Sequence, residues 1–260
     1  MIRAFFSALA FLTVIPIPQA LKSRKGNGMF AGYPLAGLLI GALLSLLWFA
    51  AGLLFPGALT AILLIGFCLF LTGAIHLDGL ADCADAFYGR RDREATLRIL
   101  KDPRIGTMGG AAIGLSLLAR FAALTSLPVH LVLLALPIVT LFSRSVVLAA
   151  MRALPYVRST AGILPPRSSL PPAAFALSLV ALLLSFALLP VPTLAALAVL
   201  ALFWRLSWKR IGGCTGDVLG ATIEIAEIVF LLALVAVSRA PLEWVSRGSL
   251  LGLLFPSALR

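Results

Sequence analysis

The 22 residues 33–54, YPLAGLLIGALLSLLWFAAGLL, carry no charged side chain, and after the turn Phe55-Pro56-Gly57 a second uncharged run, 58–75, ALTAILLIGFCLFLTGAI, follows. A bilayer core about 30 Å thick takes about 20 apolar residues in a helix. Two such runs separated by a Pro-Gly turn therefore read as a transmembrane hairpin. Further runs occur at 107–127, 129–149, 173–189, 193–208 and 218–237. Overall 61% of the residues are hydrophobic, 12% are charged and the mean hydropathy is +1.08. One soluble core of this size cannot hide that much apolar surface. The expected fold is an all-α integral membrane protein, a single polytopic domain over 1–260, with about seven spans arranged in hairpins.

The turns and charges give that bundle a direction. Phe55-Pro56-Gly57, Pro128-Val129-His130 and Pro190-Val191-Pro192 are uncharged, whereas the alternate connections hold nearly all the cations. These are Lys22, Arg24 and Lys25; Arg90, Arg91, Arg93, Arg98, Lys101 and Arg104; Arg152, Arg158 and Arg167; and Arg205, Lys209 and Arg210. By the positive-inside rule they face the cytoplasm of a bacterial inner membrane. The tail, with Arg239, Arg247 and Arg260, would emerge opposite unless 250–255 turns back. The first eighteen residues begin like a signal peptide, but Pro16 and Pro18 break the run, so a retained interfacial or re-entrant helix is expected. Phe5, Phe6 and Phe11 read there as interfacial packing.

The net charge of +11 sits in short loops, which suits anionic lipid or substrate phosphates better than nucleic acid. Cys68, Cys83 and Cys214 are too few and scattered for a disulfide framework, and no Cys and His spacing suggests zinc.

Only ten Asp and Glu occur in 260 residues, and they cluster. In His76-Leu77-Asp78-Gly79-Leu80-Ala81-Asp82-Cys83-Ala84-Asp85, a helix turning about 100° per residue brings Asp78, Asp82 and Asp85 within roughly 60° of one another. Crowded carboxylates need a cation, and hard oxygen ligands suit Mg²⁺; solvated loop carboxylates are the plainer alternative. The second set, Asp217, Glu224 and Glu227, lies on a helix entering the membrane, where carboxylates mark function or pair with Arg120 or Arg144. Each set adjoins a Gly-rich helix entry. Gly212, Gly213, Thr215 and Gly216 precede one, and Lys101, Asp102, Arg104, Gly106, Thr107, Gly109 and Gly110 form the other. Such glycines admit an anion to backbone N–H groups or admit a neighbouring helix. Carboxylates for a metal beside cations for phosphate point to phosphoryl chemistry at a membrane surface.

These motifs, together with Leu100-Lys101-Asp102-Pro103-Arg104-Ile105-Gly106-Thr107 and Gly213-Cys214-Thr215-Gly216-Asp217-Val218-Leu219-Gly220-Ala221, closely resemble cobalamin synthase, the adenosylcobinamide-GDP ribazoletransferase family. The resemblance runs from Phe5 to about Leu234. It implies transfer of the adenosylcobinamide phosphate moiety from its GDP-activated form to the ribose 5' position of α-ribazole or α-ribazole 5'-phosphate, with release of GMP and a need for Mg²⁺. On that resemblance Asp78, Asp82 and Asp85 hold the metal, and Asp217, Glu224 and Glu227 complete the site. Lys101, Arg104, Gly106, Thr107, Arg144, Gly213, Thr215 and Gly216 contact substrate. His76 or Asp102 serves as base or orienting group, with Asp82 and Asp85 in the catalytic set. The chain departs from the pattern in the Pro-rich loop between Arg152 and Pro172. A homo-oligomer or association with other corrinoid-assembly enzymes is a further expectation. CDP-alcohol phosphotransferases are set aside because their Asp-Gly-x-x-Ala-Arg pattern is missing, and a transporter because it would place its acidic groups near the bilayer midplane.

Overall fold

The computed structural model describes residues 1–23, 26–89, 91–157 and 170–239. Arg24, Lys25, Arg90, Arg158, Arg167, most of the Pro-rich loop, Arg247, Arg260 and the 250–255 segment lie outside the described residues. Ten α-helices are described: α1 (Ile2–Leu12), α2 (Tyr33–Gly52), α3 (Gly57–Thr72), α4 (Ile75–Phe87), α5 (Arg93–Ile99), α6 (Thr107–Ser126), α7 (Val129–Ala153), α8 (Pro172–Leu188), α9 (Pro190–Ile211) and α10 (Gly216–Ser238). A seven-residue 3-10 segment, Gly26–Gly32, leads into α2. No strand is found among the described residues, only one isolated bridge between Tyr156 and Cys214. The all-α membrane class stands.

All seven apolar runs are helical, but they do not make seven equal spans. Among the described residues five helices are long and apolar enough to cross a bilayer, beginning at Gly28, Thr107, Val129, Pro190 and Gly216. A sixth span arises only if α3 and α4 count as one, and they meet at 89°. With 16 residues in α3 and 17 in α8, each rises about 25 Å, short of a bilayer core. Among the described residues the count is thus five or six rather than seven.

The break between α3 and α4 matters most for the site. Gly73 (φ +61°) caps α3 in the left-handed region, and Ala74 follows at φ +55°. A left-handed alanine costs about 1–2 kcal/mol, so packing must hold the bend in place. One tie is visible: Val14 N–H donates to the Leu71 carbonyl at 2.8 Å. The bend frees α4 from the direction of α3 and lays it along α10. There Gly79 meets the backbone of Asp217 and Ala221, and Gly220 faces Ile75 and His76.

α7 is the core helix, sheathed on most of its length by its neighbours, with Phe142, Val146 and Leu148 fully buried and Phe142 tilted against Phe230 of α10 at 5.5 Å. Gly37 and Gly41 of α2 abut the α7 backbone at Thr140 and Leu136, a close helix approach of the kind small residues permit. α1 packs against the bundle: Ala8, Leu9 and Leu12 are buried, and Gly32 sits against the Ala4 and Phe5 backbone.

The basic connections converge at one end. Arg93 donates through Nε to the Ile211 carbonyl at 2.8 Å, tying α5 to the end of α9. Cys214 N–H donates to the Pro155 carbonyl at 2.8 Å, and Val157 N–H to the Cys214 carbonyl at 3.0 Å, joining the α7 exit to the α10 entry.

Candidate active site

The first acidic cluster lies on α4 as its spacing predicts, but its three carboxylates have different surroundings. Asp78 is exposed, and it lines a cavity of about 150 Å³ together with His76, Gly216 and Asp217. Asp217 belongs to the first turn of α10, whose entry is capped by Thr215: Oγ1 accepts from Val218 N–H at 3.4 Å and donates to Asp217 Oδ2 at 3.1 Å. The contact of Gly79 with Asp217 brings the two acidic sets together across the α4–α10 seam. Asp82 is half-buried one turn further along α4.

Asp85 has structural work. Its carboxylate accepts from Gly106 N–H at 2.7 Å and Gly109 N–H at 2.9 Å, so it caps the start of α6 from a separate helix. An acid there also meets the positive end of the α6 dipole. A Cβ at Gly106 or Gly109 would collide with the same carboxylate, which explains both glycines. The anion at this Gly-rich entry is therefore supplied by the protein. Gly110 has open space around it.

The second Gly-rich entry is likewise built into the scaffold. Gly213 is buried against the Pro155 carbonyl, and its own carbonyl accepts from Ser207 Oγ at 2.6 Å. Thr215 is fully buried as the α10 cap. Burial also pushes the neighbouring Cys214 thiol up to about 12, so it stays protonated. Of the predicted substrate contacts in this segment only Gly216 reaches the cavity.

Glu224 and Glu227 pair inside the bundle. Arg120 donates through Nη2 to Glu224 Oε1 and through Nη1 to Glu227 Oε2, each at 2.8 Å, while Arg144 bonds Glu227 Oε1. Ser116 adds a hydrogen bond to Glu224 at 2.7 Å, and Ser143 one to Glu227 at 3.0 Å. Two cations balance two carboxylates, which removes the uncompensated charge that a cation-coupled transporter would use. Arg144, offered by the sequence as a substrate contact, is 1% exposed and belongs to this network. The four charged groups line an inner cavity, and His76 borders both that cavity and the one beneath Asp78.

The α5–α6 loop is open to solvent. Lys101, Arg104, Gly106 and Thr107 are exposed. Arg104 holds Asp102 through Nε–Oδ1 at 2.9 Å and Nη2–Oδ2 at 2.7 Å, and these bonds keep the Asp102 carboxyl at about 2. So weak a base is poorly suited to accept a proton near neutrality.

Among the described residues no three His, Cys, Asp or Glu side chains form a group that could hold a metal ion. Of the six predicted ligands, Asp78 and Asp217 line a cavity, Asp85 caps a helix, Glu224 and Glu227 belong to a buried ion network, and Asp82 sits half-buried on α4 outside the cavity lining. Sequence reasoning also missed the aromatic side of the cavity, where Phe11, Phe30 and Tyr33 come together from α1, the 3-10 segment and α2. They are separated by up to 22 positions, and no periodicity links them.

A family model described as cobalamin-5-phosphate synthase (CobS) matches residues 4–235. The chain belongs to this family. It is 40% identical over 241 residues to the adenosylcobinamide-GDP ribazoletransferase of a Pseudomonas putida strain, covering 88% of this chain and 97% of the relative. The protein of the same name from Klebsiella pneumoniae is 35% identical over 261 residues, with 90% of this chain and 100% of the relative covered. That from Geotalea daltonii is 33% identical over 246 residues, covering 91% and 98%. No solved structure matches. The match begins within α1 and ends within α10, so it takes in every element that builds the cavity.

Proposed function

We infer that this chain is an adenosylcobinamide-GDP ribazoletransferase acting in cobalamin biosynthesis, with its reaction centre at the cavity that Asp78 and Asp217 share. The observation that carries the site is that shared lining: two carboxylates more than a hundred residues apart meet beside His76. The reaction forms one bond between an acceptor oxygen and the phosphorus bearing adenosylcobinamide, and breaks the bond from that phosphorus to GMP. The family description, a synthase of cobalamin-5-phosphate, puts a phosphate on the 5 position of the product. An acceptor that already bears this phosphate has no free 5' hydroxyl to attack with, which speaks against the 5' oxygen expected from the sequence. A different ribose hydroxyl is the nucleophile.

Mg²⁺ usually takes one or two carboxylates and leaves its other positions to water and substrate phosphate, so Asp78 and Asp217, with Asp82 a turn away, fit it without a preformed cage. When bound, it would offset the charge that builds on the phosphoryl oxygens and on departing GMP. Asp85, Glu224 and Glu227 serve the frame instead. Exposed Lys101 and Arg104 are assigned to the diphosphate of the donor; their loop is tied by Asp85 to a point about 10 Å along α4 from Asp78. His76, held between the two cavities, orients the acceptor or takes its proton. The convergence of the Lys- and Arg-bearing connections at the α9–α10 end supports a cytoplasmic mouth in a bacterial inner membrane.

Purified protein in liposomes should release GMP from adenosylcobinamide-GDP only with both α-ribazole and Mg²⁺ present. Asp217→Asn should lose at least about 100-fold in turnover while inserting normally. Turnover that ignores magnesium would remove the metal from this reading, and an undiminished Asp217→Asn would remove the site.

A further inference from the structure

The cavity beneath Asp78 has two chemically distinct sides. His76, Asp78, Gly216 and Asp217 give it a polar edge, whereas Phe11, Leu12, Phe30, Tyr33, Val147 and Ile223 give it an apolar wall. Phe11 stacks on Tyr33 with centroids 6.4 Å apart and planes 23° from parallel, and Phe30 meets Tyr33 at 5.1 Å. Phe30 and Leu12 are fully buried and Tyr33 nearly so, so the wall is set by packing before any ligand arrives.

We propose that this wall is the binding site for the flat base of the acceptor, with the acceptor ribose turned to Asp78 and Asp217; this rests on the transferase reading above. Four ring systems enter that reaction, the corrin, the adenine of its adenosyl group, guanine and the base of ribazole, and the cavity discriminates among them. The corrin macrocycle with its side chains is several times larger than about 150 Å³ and cannot enter. Guanine and adenine are small enough, but their edges carry several hydrogen-bonding groups, and of the side chains in this wall only Tyr33 has a polar atom to meet one of them. The benzimidazole base of ribazole has a hydrocarbon edge with two methyl groups and is flat. It gains from aromatic faces and gives up little. A base seated there leaves its ribose at the polar edge, beside the carboxylates assigned to the metal. The nucleophile and the phosphorus would then meet where charge compensation is available.

α1 acquires a function from this assignment. Phe11 reaches the cavity from the last turn of α1, and α1 is fixed by the close approach of Gly32 to Ala4 and by Ser23 N–H donating to Ser7 Oγ at 2.7 Å. The N-terminal helix is therefore a wall of the acceptor site as well as an interfacial element.

The test uses the full chain in nanodiscs and measures initial rates against each substrate in turn. Phe11→Ala removes a ring at the end of α1, and Ile223→Phe fills the cavity without removing a wall. Both should raise the KM for α-ribazole about 5- to 100-fold, the range expected for losing one base–aromatic contact, and leave the KM for adenosylcobinamide-GDP within about twofold. A rise confined to the donor KM would give the cavity to the donor and overturn the assignment. Unchanged KM values for both substrates in a folded Ile223→Phe protein would make the wall mere packing and overturn it equally. Calorimetry separates this from the transferase reading: α-ribazole alone should bind the wild type and bind Ile223→Phe more weakly by the same factor. If GMP is never released but that binding difference holds, the transferase reading fails and the acceptor site survives. Equal binding by both proteins sinks the acceptor site.

Discussion

Replacing Gly79 by alanine tests whether the α4–α10 seam sets the geometry of the site. A Cβ at Gly79 would lie 2.7 Å from the Asp217 carbonyl oxygen, 3.1 Å from Asp217 Cα and 3.3 Å from the Ala221 nitrogen. All three are backbone atoms of α10, so no side-chain rotation relieves the clash. The helices must part by about 0.5 Å or more to restore ordinary contact distances. Overpacking of this kind costs about 1–3 kcal/mol, partly offset by the roughly 1 kcal/mol that alanine gains over glycine in a helix interior. The expected net loss of stability is therefore about 0–2 kcal/mol, a small effect. Turnover should suffer more, because the displaced atoms belong to Asp217 itself and Asp78 is the residue before the substitution. A misplacement near 1 Å can cost about 100-fold in rate, and half that distance should cost about 10-fold. GMP release in liposomes gives the rate, and thermal unfolding in detergent gives the stability. Gly114→Ala is the control, since a Cβ there meets nothing within 4 Å. Full turnover by Gly79→Ala would refute the claim that this seam positions the two carboxylates.

Removing the Asp85 cap with Asp85→Ala should destabilise the α6 entry by about 1–2 kcal/mol, with Asp85→Asn retaining part of that, as read by hydrogen exchange at Gly106 and Gly109. Glu227→Ala leaves Arg144 without its carboxylate inside the bundle and should cost about 3–5 kcal/mol; Glu227→Leu with Arg144→Met should recover much of it in thermal unfolding. For Asp102 the pKa, about 2, lies below its usual value of 3.8, so the stabilisation from Arg104 is complete above about pH 4 and fades as pH falls through about 2. The pH profile of kcat/KM above pH 5 should therefore be the same for Asp102→Asn as for wild type, and a shifted limb would restore Asp102 as a base.

Some features were legible in the sequence because they rest on local rules. Uncharged runs near bilayer length marked the helices, and the 4- and 3-residue intervals among Asp78, Asp82 and Asp85 put those carboxylates on α4. The bend was less readable. Gly73 signalled a helix end, but nothing local announced that Ala74 would follow it into the left-handed region and turn α4 through 89°. Spacing also treated carboxylates alike, although Asp85 meets backbone donors of another helix while Glu224 and Glu227 meet arginines.

By itself the sequence determined the membrane class, the helices and the family, since hydropathy, helical period and motif order are properties of neighbouring residues. Tertiary structure alone decided the division of labour: Asp78 and Asp217 share a cavity, Asp85 caps, and Glu224 and Glu227 pair. The role of a carboxylate depends on the charge and hydrogen-bond donors within a few ångströms of it. Here those partners come from helices a score to more than a hundred residues away.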